Sequence, residues 1–520
     1  MTLLELVVLA GCAVAVVLSG LRWVRVAQRE HYLPGSVTRF AARWWRARPE
    51  SSALAVLSVL AGLSATAWRW PALITAAVVG IGPLGLRVRG TTSQLVWTRR
   101  CRKVAALSAA LAVVPVLMGG LLGGLGVAAI VAGFTALAVA PLVDLALFAL
   151  APLERRLATR FVETAQAKLA RIAPSVVAIT GSYGKTSTKG YLAHLLAGRF
   201  NVLASPKSYN NQAGLARTVN ELLSPGTEVL IAEMGTYGPG EIAAMCSWMH
   251  PTVSVLTAIG PVHLERFKSL EVTTRAKAEI AGGAAVVVCN VDDPRLAALA
   301  NELTARGQRV LRASAGSPAP GTPPDVIVRG LAGGLDVEVE GAALGLVELP
   351  QGANVAAASN VACALAAAMA LGVAPGELLG PLASLPVAEN RLARTVSARG
   401  VVVLDDTYNA NPAGGRLALE ELARQGSGGH KVVVTPGMIE LGPLQFEENA
   451  AFAAAALAVA DTLVIVKRTN RSALLAGAAQ AGAGRTVVLE GREQAVVWVR
   501  EHLVGGDAVL YENDLPDHYP

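Results

Sequence analysis

A short glycine-rich segment, VVAITGSYGKTSTKG, carries the clearest chemical signal in this sequence of 520 residues. Its β-branched start predicts a buried strand, and its glycines allow a tight turn whose backbone amides can face phosphate oxygens, although a plain turn is the alternative. Lys185 is placed to reach the β- and γ-phosphates of a nucleotide, and the Thr186 hydroxyl at the next helix start suits Mg²⁺. Ile179 stands where the common Walker spacing has its first glycine. We assign these residues to the nucleotide: Thr180, Gly181, Ser182, Gly184, Lys185, Thr186 and Ser187.

The loop belongs to a pattern of strands and helices that begins near Ser175. Short β-branched runs alternate with Ala- and Leu-rich stretches, which is typical of a parallel sheet built from βαβ units. The predicted strands are Val176–Thr180, Val229–Glu233, Val253–Ala258 and Ala285–Asn290. The next predicted elements are a loop over Arg312–Pro324, an antiparallel piece over 325–349, a helix over Asn360–Leu371 and a hinge over Pro375–Asn390. A second α/β unit follows, with strands predicted at Val401–Asp405, Lys431–Thr435, Thr462–Val466, Thr486–Leu489 and Ala508–Tyr511.

The first third of the chain has the pattern of a membrane region. Five apolar runs cover residues 3–21, 51–67, 70–86, 104–121 and 124–150, each near the roughly 20 residues that cross a bilayer core. The loops between them are alternately rich in arginine and nearly free of charge. By the positive-inside rule, this predicts a multi-pass protein of the cell membrane with everything after about residue 155 in the cytoplasm.

The charge distribution and the composition exclude several classes of protein. Residues 1–165 carry a net charge of +11 and residues 166–520 carry −4, so the basic balance belongs to the apolar part and does not indicate a nucleic-acid partner. The Phe40–Arg48 stretch is an interfacial anchor or a site for an anionic lipid headgroup. Asp144 is a functional residue, a residue at a helix end or a residue that faces a partner helix. Hydrophobic residues make up 53% of the chain, and its five cysteines show no CxxC motif. These features exclude a disordered chain and a disulfide framework.

Several motifs together resemble the Mur ligases, the ATP-dependent amide-forming enzymes of cell-wall peptide assembly. Over about residues 172–510, TGSYGKTS is followed by SYNNQAG, AEMGTYGPGEI, IGPVHLERFKS, RAKAEI, NVDD, NRL, DDTYNANP and GMIELG. The set is most similar to the MurF-like branch, which adds D-alanyl-D-alanine. The resemblance implies an α/β fold in which transmembrane helices (1–165) precede a P-loop-containing parallel-sheet ATPase domain (166–388) and a Rossmann-like C-terminal domain (389–520).

The resemblance also implies a reaction. A carboxylate does not react with an amine at neutral pH, so ATP first converts it to an acyl phosphate, which the amine then attacks. Mg²⁺ offsets the crowding of anionic oxygens during this phosphoryl transfer. The implied cofactors are ATP and two Mg²⁺ ions. The implied partners are an amino acid or dipeptide and a carboxylate acceptor.

Individual positions take roles from the same resemblance. Glu233, at a strand end, becomes the partner of Thr186 on the first Mg²⁺, and His263 becomes a ligand of the second. Lys277, which alone would read as a solvated helix lysine, matches a position that the family carbamylates with CO₂ to make an anionic ligand. The remaining implied contacts to nucleotide, acceptor or amine are Asn210, Asn211, Asn290, Arg391, Asp406, Tyr408, Asn409 and Asn411. Taken alone, the Asn210–Asn211 and Asp405–Asp406 pairs also fit turns.

Three departures from the family pattern affect the substrate. Membrane runs replace the family's uridine-binding domain, so a lipid-linked or polymeric acceptor becomes an alternative to a uridine-linked one. In the ASNVACA helix only Asn360 can be placed, and YENDLPDHYP replaces a basic KGSR-like segment, which suggests a changed amino-acid specificity. The alternatives are a membrane-anchored poly-γ-glutamate-type synthase or other non-peptidoglycan ligase, and a nucleotide-binding membrane transport or assembly protein.

Overall fold

The computed structural model describes most of the chain and divides it into two compact units. The described residues are 3–89, 94–206, 209–262, 264–331, 333–349, 358–386, 393–407, 411–425, 428–482, 484–515 and 519. One unit comprises Met1–Leu157 with Leu515–Pro520, and the other comprises Ala158–Asp514. We call them the N-terminal unit and the catalytic unit.

The described part of the N-terminal unit is helical. Its helices are α1 (Leu3–Arg29), α2 (Ser36–Arg46), α3 (Pro49–Ser64), α4 (Pro71–Ile81), α5 (Arg99–Leu137) and α6 (Val139–Ile172), the last of which continues into the catalytic unit. Among the described residues, α1 and α5 are long and apolar enough to cross a membrane. Helices α3 and α4 have 16 and 11 residues, fewer than the roughly 20 that a full crossing needs.

Helix α5 is a helical hairpin rather than one rod. Gly124 interrupts it with φ 72°, a left-handed value that glycine adopts without strain. A Cβ atom built on Gly119 would lie 3.2 Å from a methyl carbon of Val131. In a straight helix these two positions would be about 18 Å apart, so the chain turns back on itself. The turn lies where the fourth and fifth apolar runs separate in the sequence.

Two charged residues inside the N-terminal unit satisfy helix ends. Asp144 accepts hydrogen bonds from the backbone amides of Gly35 (2.8 Å) and Thr38 (2.7 Å) at the start of α2. Arg22 is buried, and its guanidinium donates to four carbonyl oxygens at the end of α4, those of Val79, Gly80, Ile81 and Gly82. Free amides and carbonyls at helix ends need such partners in an apolar setting. Asp144 lies inside α6 and contacts the start of α2, so the structure supports the partner-helix interpretation.

A nine-stranded sheet forms the first half of the catalytic unit, in the order β2-β3-β1-β4-β5-β6-β7-β8-β9. The strands are β1 (Ser175–Thr180), β2 (Val202–Ala204), β3 (Val229–Glu233), β4 (Val253–Leu256), β5 (Val286–Asn290), β6 (Arg309–Ser314), β7 (Val326–Leu331), β8 (Gly334–Val339) and β9 (Ala342–Glu348). The pairs from β2 to β7 are parallel, and β7–β8 and β8–β9 are antiparallel. The predicted parallel sheet and its antiparallel extension are confirmed.

Helices cover both faces of this sheet. They are α7 (Lys185–Leu196), α8 (Gln212–Arg217), α9 (Glu241–Met249), α10 (Leu264–Phe267), α11 (Leu270–Ala278), α12 (Pro294–Ala305), α13 (Ala358–Ala370) and α14 (Pro375–Leu382). One hydrophobic core forms against α7 and α13, and a second forms on the opposite face against α8, α9 and α12. The central strands are buried on both faces, so their residues form continuous apolar runs in the sequence. This explains why these strands could be predicted from the sequence.

A six-stranded sheet forms the second half, in the order β10-β11-β15-β12-β13-β14. Its strands are β10 (Ala393–Val396), β11 (Val402–Asp406), β12 (Lys431–Thr435), β13 (Thr462–Val466), β14 (Arg485–Leu489) and β15 (Ala508–Glu512). Its helices are α15 (Pro412–Arg424), α16 (Gln445–Val459), α17 (Arg471–Ala481) and α18 (Arg492–His502). All pairs are parallel except β10–β11. The predicted second α/β unit is confirmed.

Two predicted stretches overlap regular elements. The predicted loop over Arg312–Pro324 begins inside β6, which joins the sheet between β5 and β7. The predicted hinge over Pro375–Asn390 begins with α14, because proline is favoured at the first position of a helix.

Candidate active site

The glycine-rich loop connects β1 to α7 through two glycines that no other residue could replace without strain. Gly181 has φ 156° and Gly184 has φ 79°. A Cβ atom at Gly181 would collide with the Thr257 hydroxyl, and one at Gly184 would collide with the side-chain oxygen of Asn360. The loop backbone is therefore held in a shape that places amides at the N-terminus of α7, where phosphate binds well.

Two lysines meet at one backbone carbonyl of this loop. Lys185 Nζ donates to the Gly181 oxygen at 2.7 Å, and Lys277 Nζ donates to the same oxygen at 3.1 Å. Lys277 lies near the end of α11 and is 4% exposed, so the expectation of a solvated helix lysine does not describe it. Burial and then the nearby Lys185 charge hold the pKa of Lys277 well below its usual value of 10.5.

Glu233 ends β3 next to the loop and lies at the centre of a polar cluster. Its carboxylate accepts hydrogen bonds from the Thr186 hydroxyl (3.1 Å) and from the Asn210 amide (3.3 Å). The side chain is 4% exposed. The strand register explains why Glu233 lies beside the loop, because Glu233 pairs with Ile179, one residue before the end of β1.

Lys189 completes the cluster and was missed in the sequence. Its Nζ lies 2.9 Å from a Glu233 oxygen and donates to the Ser205 carbonyl at 2.8 Å. Burial alone would raise the pKa of Glu233, but the charges of Lys189 and Lys185 outweigh it and the pKa lies below the usual value of 4.5. The sequence feature that could have identified Lys189 is its spacing, since it follows Lys185 by one helical turn and so lies on the same face of α7.

The paired oxygens of Thr186 and Glu233 fit a magnesium site. Hydroxyl and carboxylate oxygens are the hard ligands that Mg²⁺ prefers, and Mg²⁺ at nucleotide sites takes its other ligands from phosphates and water. Among the residues that the structure describes, no group of three or more His, Cys, Asp or Glu side chains gathers as a metal site. His263, the predicted ligand of a second ion, lies outside the described residues.

The asparagines assigned to substrate and nucleotide divide into two kinds. Asn210 reaches Glu233, whereas Asn211 caps α8 by accepting from the Gly214 amide at 2.9 Å, as its turn interpretation predicts. Asn290 is buried and donates to the Thr257 carbonyl at 2.8 Å, beside the loop. Asn360 accepts from the Thr188 hydroxyl of α7 at 3.4 Å and thus packs on the loop helix.

The second sheet contributes fewer described site residues. Asp405 closes a strand-end turn by accepting from the amide and hydroxyl of Thr407, whereas Asp406 lies beside Glu512 of β15. Asn411 caps α15 by accepting from the Gly414 amide. Arg391, Tyr408 and Asn409 lie outside the described residues.

A backbone hydrogen bond joins the two halves of the catalytic unit near these motifs. The Leu264 amide donates to the Glu440 carbonyl at 2.9 Å, linking the HLE and ELG segments. Gly442 packs on the same place, since a Cβ atom there would lie 3.2 Å from the Glu265 nitrogen. The second half is thus in contact with the segment that follows β4.

Comparisons with known proteins match the catalytic unit. The family model described as the Mur ligase middle domain matches residues 179–370, and that described as the Mur ligase, glutamate ligase domain matches residues 390–511. The UDP-N-acetylmuramoyl-tripeptide–D-alanyl-D-alanine ligase of Mycobacterium leprae is 33% identical over 365 residues, covering 65% of this chain and 70% of that protein.

Solved structures agree with these matches. The MurF ligase of Thermotoga maritima in complex with ADP has a TM-score of 0.59 and 25% identity, covering 69% of this chain and 80% of that one. A MurF structure from Acinetobacter baumannii, at 24% identity, shares the fold with a TM-score of 0.59 over 69% of this chain and 77% of that one. The chain belongs to the Mur ligase family and is an ATP-dependent, ADP-forming ligase.

Proposed function

We propose that the cluster around the glycine-rich loop activates the carboxylate of a cell-wall precursor and that the second sheet presents the amine, as in a MurF-type ligase. The observation that carries this assignment is the meeting of Lys185, Lys277, Thr186 and Glu233 around one loop, although they come from three separate elements. Family membership makes the chain a ligase, which disfavours the transport or assembly alternative.

The reaction follows from the positions of these groups. The loop amides and Lys185 hold the ATP phosphates while the γ-phosphoryl group passes to a carboxylate oxygen, giving an acyl phosphate and ADP. The amine nitrogen then attacks the acyl carbon, phosphate leaves, and the amine proton passes to solvent. A divalent ion at Thr186 and Glu233 would supply charge neutralisation for the phosphates. Lys189 keeps Glu233 ionised for that role.

Lys277 is positioned to be carbamylated. Only a neutral amine adds to CO₂, and its burial beside Lys185 favours the neutral form. Addition to the neutral amine forms an N–C bond and releases one proton, which turns the neutral side chain into an anionic one. The carbamate would then serve as a ligand for the second divalent ion, together with His263.

The names of the relatives suggest the substrates. Their names describe ligation of a UDP-N-acetylmuramoyl-tripeptide to D-alanyl-D-alanine. We assign the same amine and acid classes to this chain, with a uridine-linked acid as the first choice. A lipid-linked acid is the second choice, because both family matches begin after residue 178 and the preceding part is apolar.

Two apolar helices of the N-terminal unit support a location at a membrane. The most apolar windows of α1 and α5 are only 22% and 17% buried, unlike core helices of soluble proteins. Large apolar side chains point outward along these helices, including Val14, Leu117, Leu121 and Leu122. Such a continuous apolar surface requires lipid or another partner. We place the chain in the cell membrane as a multi-pass protein, with the catalytic unit in the cytoplasm.

A ligation screen by mass spectrometry tests the function. The detergent-solubilised chain is incubated with ATP, Mg²⁺, uridine-linked or lipid-linked muramyl peptides, and either D-alanyl-D-alanine or glutamate. We expect a product heavier than the acid by the mass of the amine minus water, and ADP release only when both substrates are present. A glutamate product would favour the poly-γ-glutamate-type alternative. ATP turnover that needs neither substrate, or that persists in a Lys185→Ala variant, would contradict the proposal.

A further inference from the structure

Helix α2 (Ser36–Arg46) has an apolar side and a basic side. The apolar side packs into a hydrophobic core with residues of α1, α5 and α6, through Val37, Phe40, Ala41 and Trp44. On the other side, Arg39, Arg43 and Arg46 are exposed and follow one another by four and three positions, so they form one row along the helix. We call these three residues the basic face. Because the apolar side is held in the core, the basic face stays on the surface of the N-terminal unit.

The basic face forms no ion pair within the part of the chain that the structure describes. The ion pairs of the N-terminal unit there involve other cations, namely Arg69, Arg100 and Lys103. Asp144, which contacts the start of α2, is occupied by backbone amides of that helix end. Three positive charges along about 10 Å of helix are therefore available to an anion from outside the chain.

A cavity of about 110 Å³ opens beside the basic face. Arg39, Arg43, Ser36 and Trp44 line it, and Glu30 contributes one negative charge against the two arginines. Ser36 is 5% exposed, and its hydroxyl has no hydrogen-bond partner among the described residues. Two guanidinium groups and a hydroxyl around one cavity are donors that suit the oxygens of a phosphate group.

The position of α2 in the chain puts the basic face at a membrane surface. The helix connects α1, which is long and apolar enough to cross a bilayer, to the apolar helix α3. By the positive-inside rule, this arginine-rich connection lies on the cytoplasmic side. The cytoplasmic leaflet carries anionic lipids, and guanidinium groups bind phosphate oxygens through paired hydrogen bonds.

We propose that the basic face binds the phosphate headgroups of anionic lipids in the cytoplasmic leaflet, and that one headgroup occupies the cavity beside Ser36. A lipid surface fits better than a free phosphate ion, because a row of about 10 Å exceeds the reach of one small ion. The inference goes beyond the proposed ligase activity and rests on the proposed membrane location. It favours the headgroup interpretation of the Phe40–Arg48 stretch over that of a simple interfacial anchor.

The test measures binding of phosphatidylglycerol to the full detergent-solubilised chain by native mass spectrometry. The basic-face variant combines Arg39→Gln, Arg43→Gln and Arg46→Gln. The matched control combines Arg295→Gln, Arg309→Gln and Arg485→Gln, at three exposed arginines of the catalytic unit. Each arginine near an anionic surface contributes roughly fivefold in affinity, so the basic-face variant should bind phosphatidylglycerol roughly a hundredfold more weakly than the parent. The control should stay within about twofold, because its arginines lie outside the basic face.

Two comparisons separate the headgroup from other causes. Ser36→Ala should weaken phosphatidylglycerol binding about tenfold, as for a lost hydrogen bond to a charged group. Phosphatidylcholine should bind the parent and the basic-face variant alike, and their melting temperatures in its presence should agree within about 2 °C, since exposed substitutions change stability little. Added salt should weaken phosphatidylglycerol binding by the parent much more than by the basic-face variant.

Several results would overturn the inference. They are equal phosphatidylglycerol affinity of the parent and the basic-face variant, an equal loss in the control, an unchanged affinity in Ser36→Ala, or full displacement of the lipid by an equal concentration of inorganic phosphate. Carbonate extraction tests the membrane location separately. If the chain is released by carbonate but the basic-face variant still loses phosphatidylglycerol binding, the multi-pass location fails and the lipid-binding face remains.

Discussion

Replacing Lys189 by methionine tests whether the buried pair with Glu233 organises the nucleotide site. The two side chains are 7% and 5% exposed and 2.9 Å apart, and Lys189 also satisfies the Ser205 carbonyl. Removing one partner of a buried ion pair leaves the other charge uncompensated, at a cost of about 3–5 kcal/mol. We expect the free energy of unfolding of the detergent-solubilised chain to fall by that amount in a denaturant titration.

A double-mutant cycle separates the pair from the loss of packing. Lys189→Met with Glu233→Gln removes both charges, so the combined loss should be smaller than the sum of the single losses by roughly 2–3 kcal/mol. The exposed Arg199–Glu377 pair is a matched control, because its atoms are 3.0 Å apart but half-exposed. The same cycle there should give about 0–1 kcal/mol. If the two cycles give equal coupling, the buried pair does not organise the site.

Three further predictions concern the loop, Lys277 and the membrane. Gly184→Ala should weaken ADP binding at least tenfold in calorimetry, because φ 79° and the contact with Asn360 exclude a side chain. The control is Gly190→Ala, in open space on α7, which should keep the ADP affinity and stabilise the helix by up to about 1 kcal/mol. Equal ADP affinities of the two variants would refute the argument. Lys277 should give a carbamate signal in carbon NMR with ¹³C-bicarbonate, and the signal should be absent in Lys277→Arg; a signal in both would assign it elsewhere. The full chain should stay with membranes after carbonate extraction, and release into the soluble fraction would contradict a multi-pass arrangement.

The sequence predicted elements well wherever local pattern decides them. Strands such as Val229–Glu233, Lys431–Thr435 and Thr462–Val466 have the predicted bounds, because both faces of each are buried and the apolar run is continuous. The short edge strands β2 and β10 were not predicted, since β2 has three partly exposed residues, β10 has four mostly exposed ones, and neither shows a hydrophobic pattern.

Features that depend on distant contacts could not be predicted in the same way. Lys189 looks like any helix lysine until the fold brings it to Glu233 and Ser205, which are 44 and 16 positions away. The adjacent residues Asp405 and Asp406 look equivalent in the sequence, yet the pleat sends them to opposite faces. The same holds for Lys277, whose burial on α11 has no sign in its neighbours.

The shared carbonyl of Gly181 has a consequence for the order in which the site is filled. Lys185 and the neutral amine of Lys277 donate to one oxygen, so converting Lys277 to an anion would add an electrostatic attraction to Lys185. Carbamylation of Lys277 by carbon dioxide would then hold the Lys185 side chain more firmly in place before any nucleotide binds. Bicarbonate would thus act on this enzyme before its substrates bind, and pre-incubation with bicarbonate should shorten the lag before the first product forms.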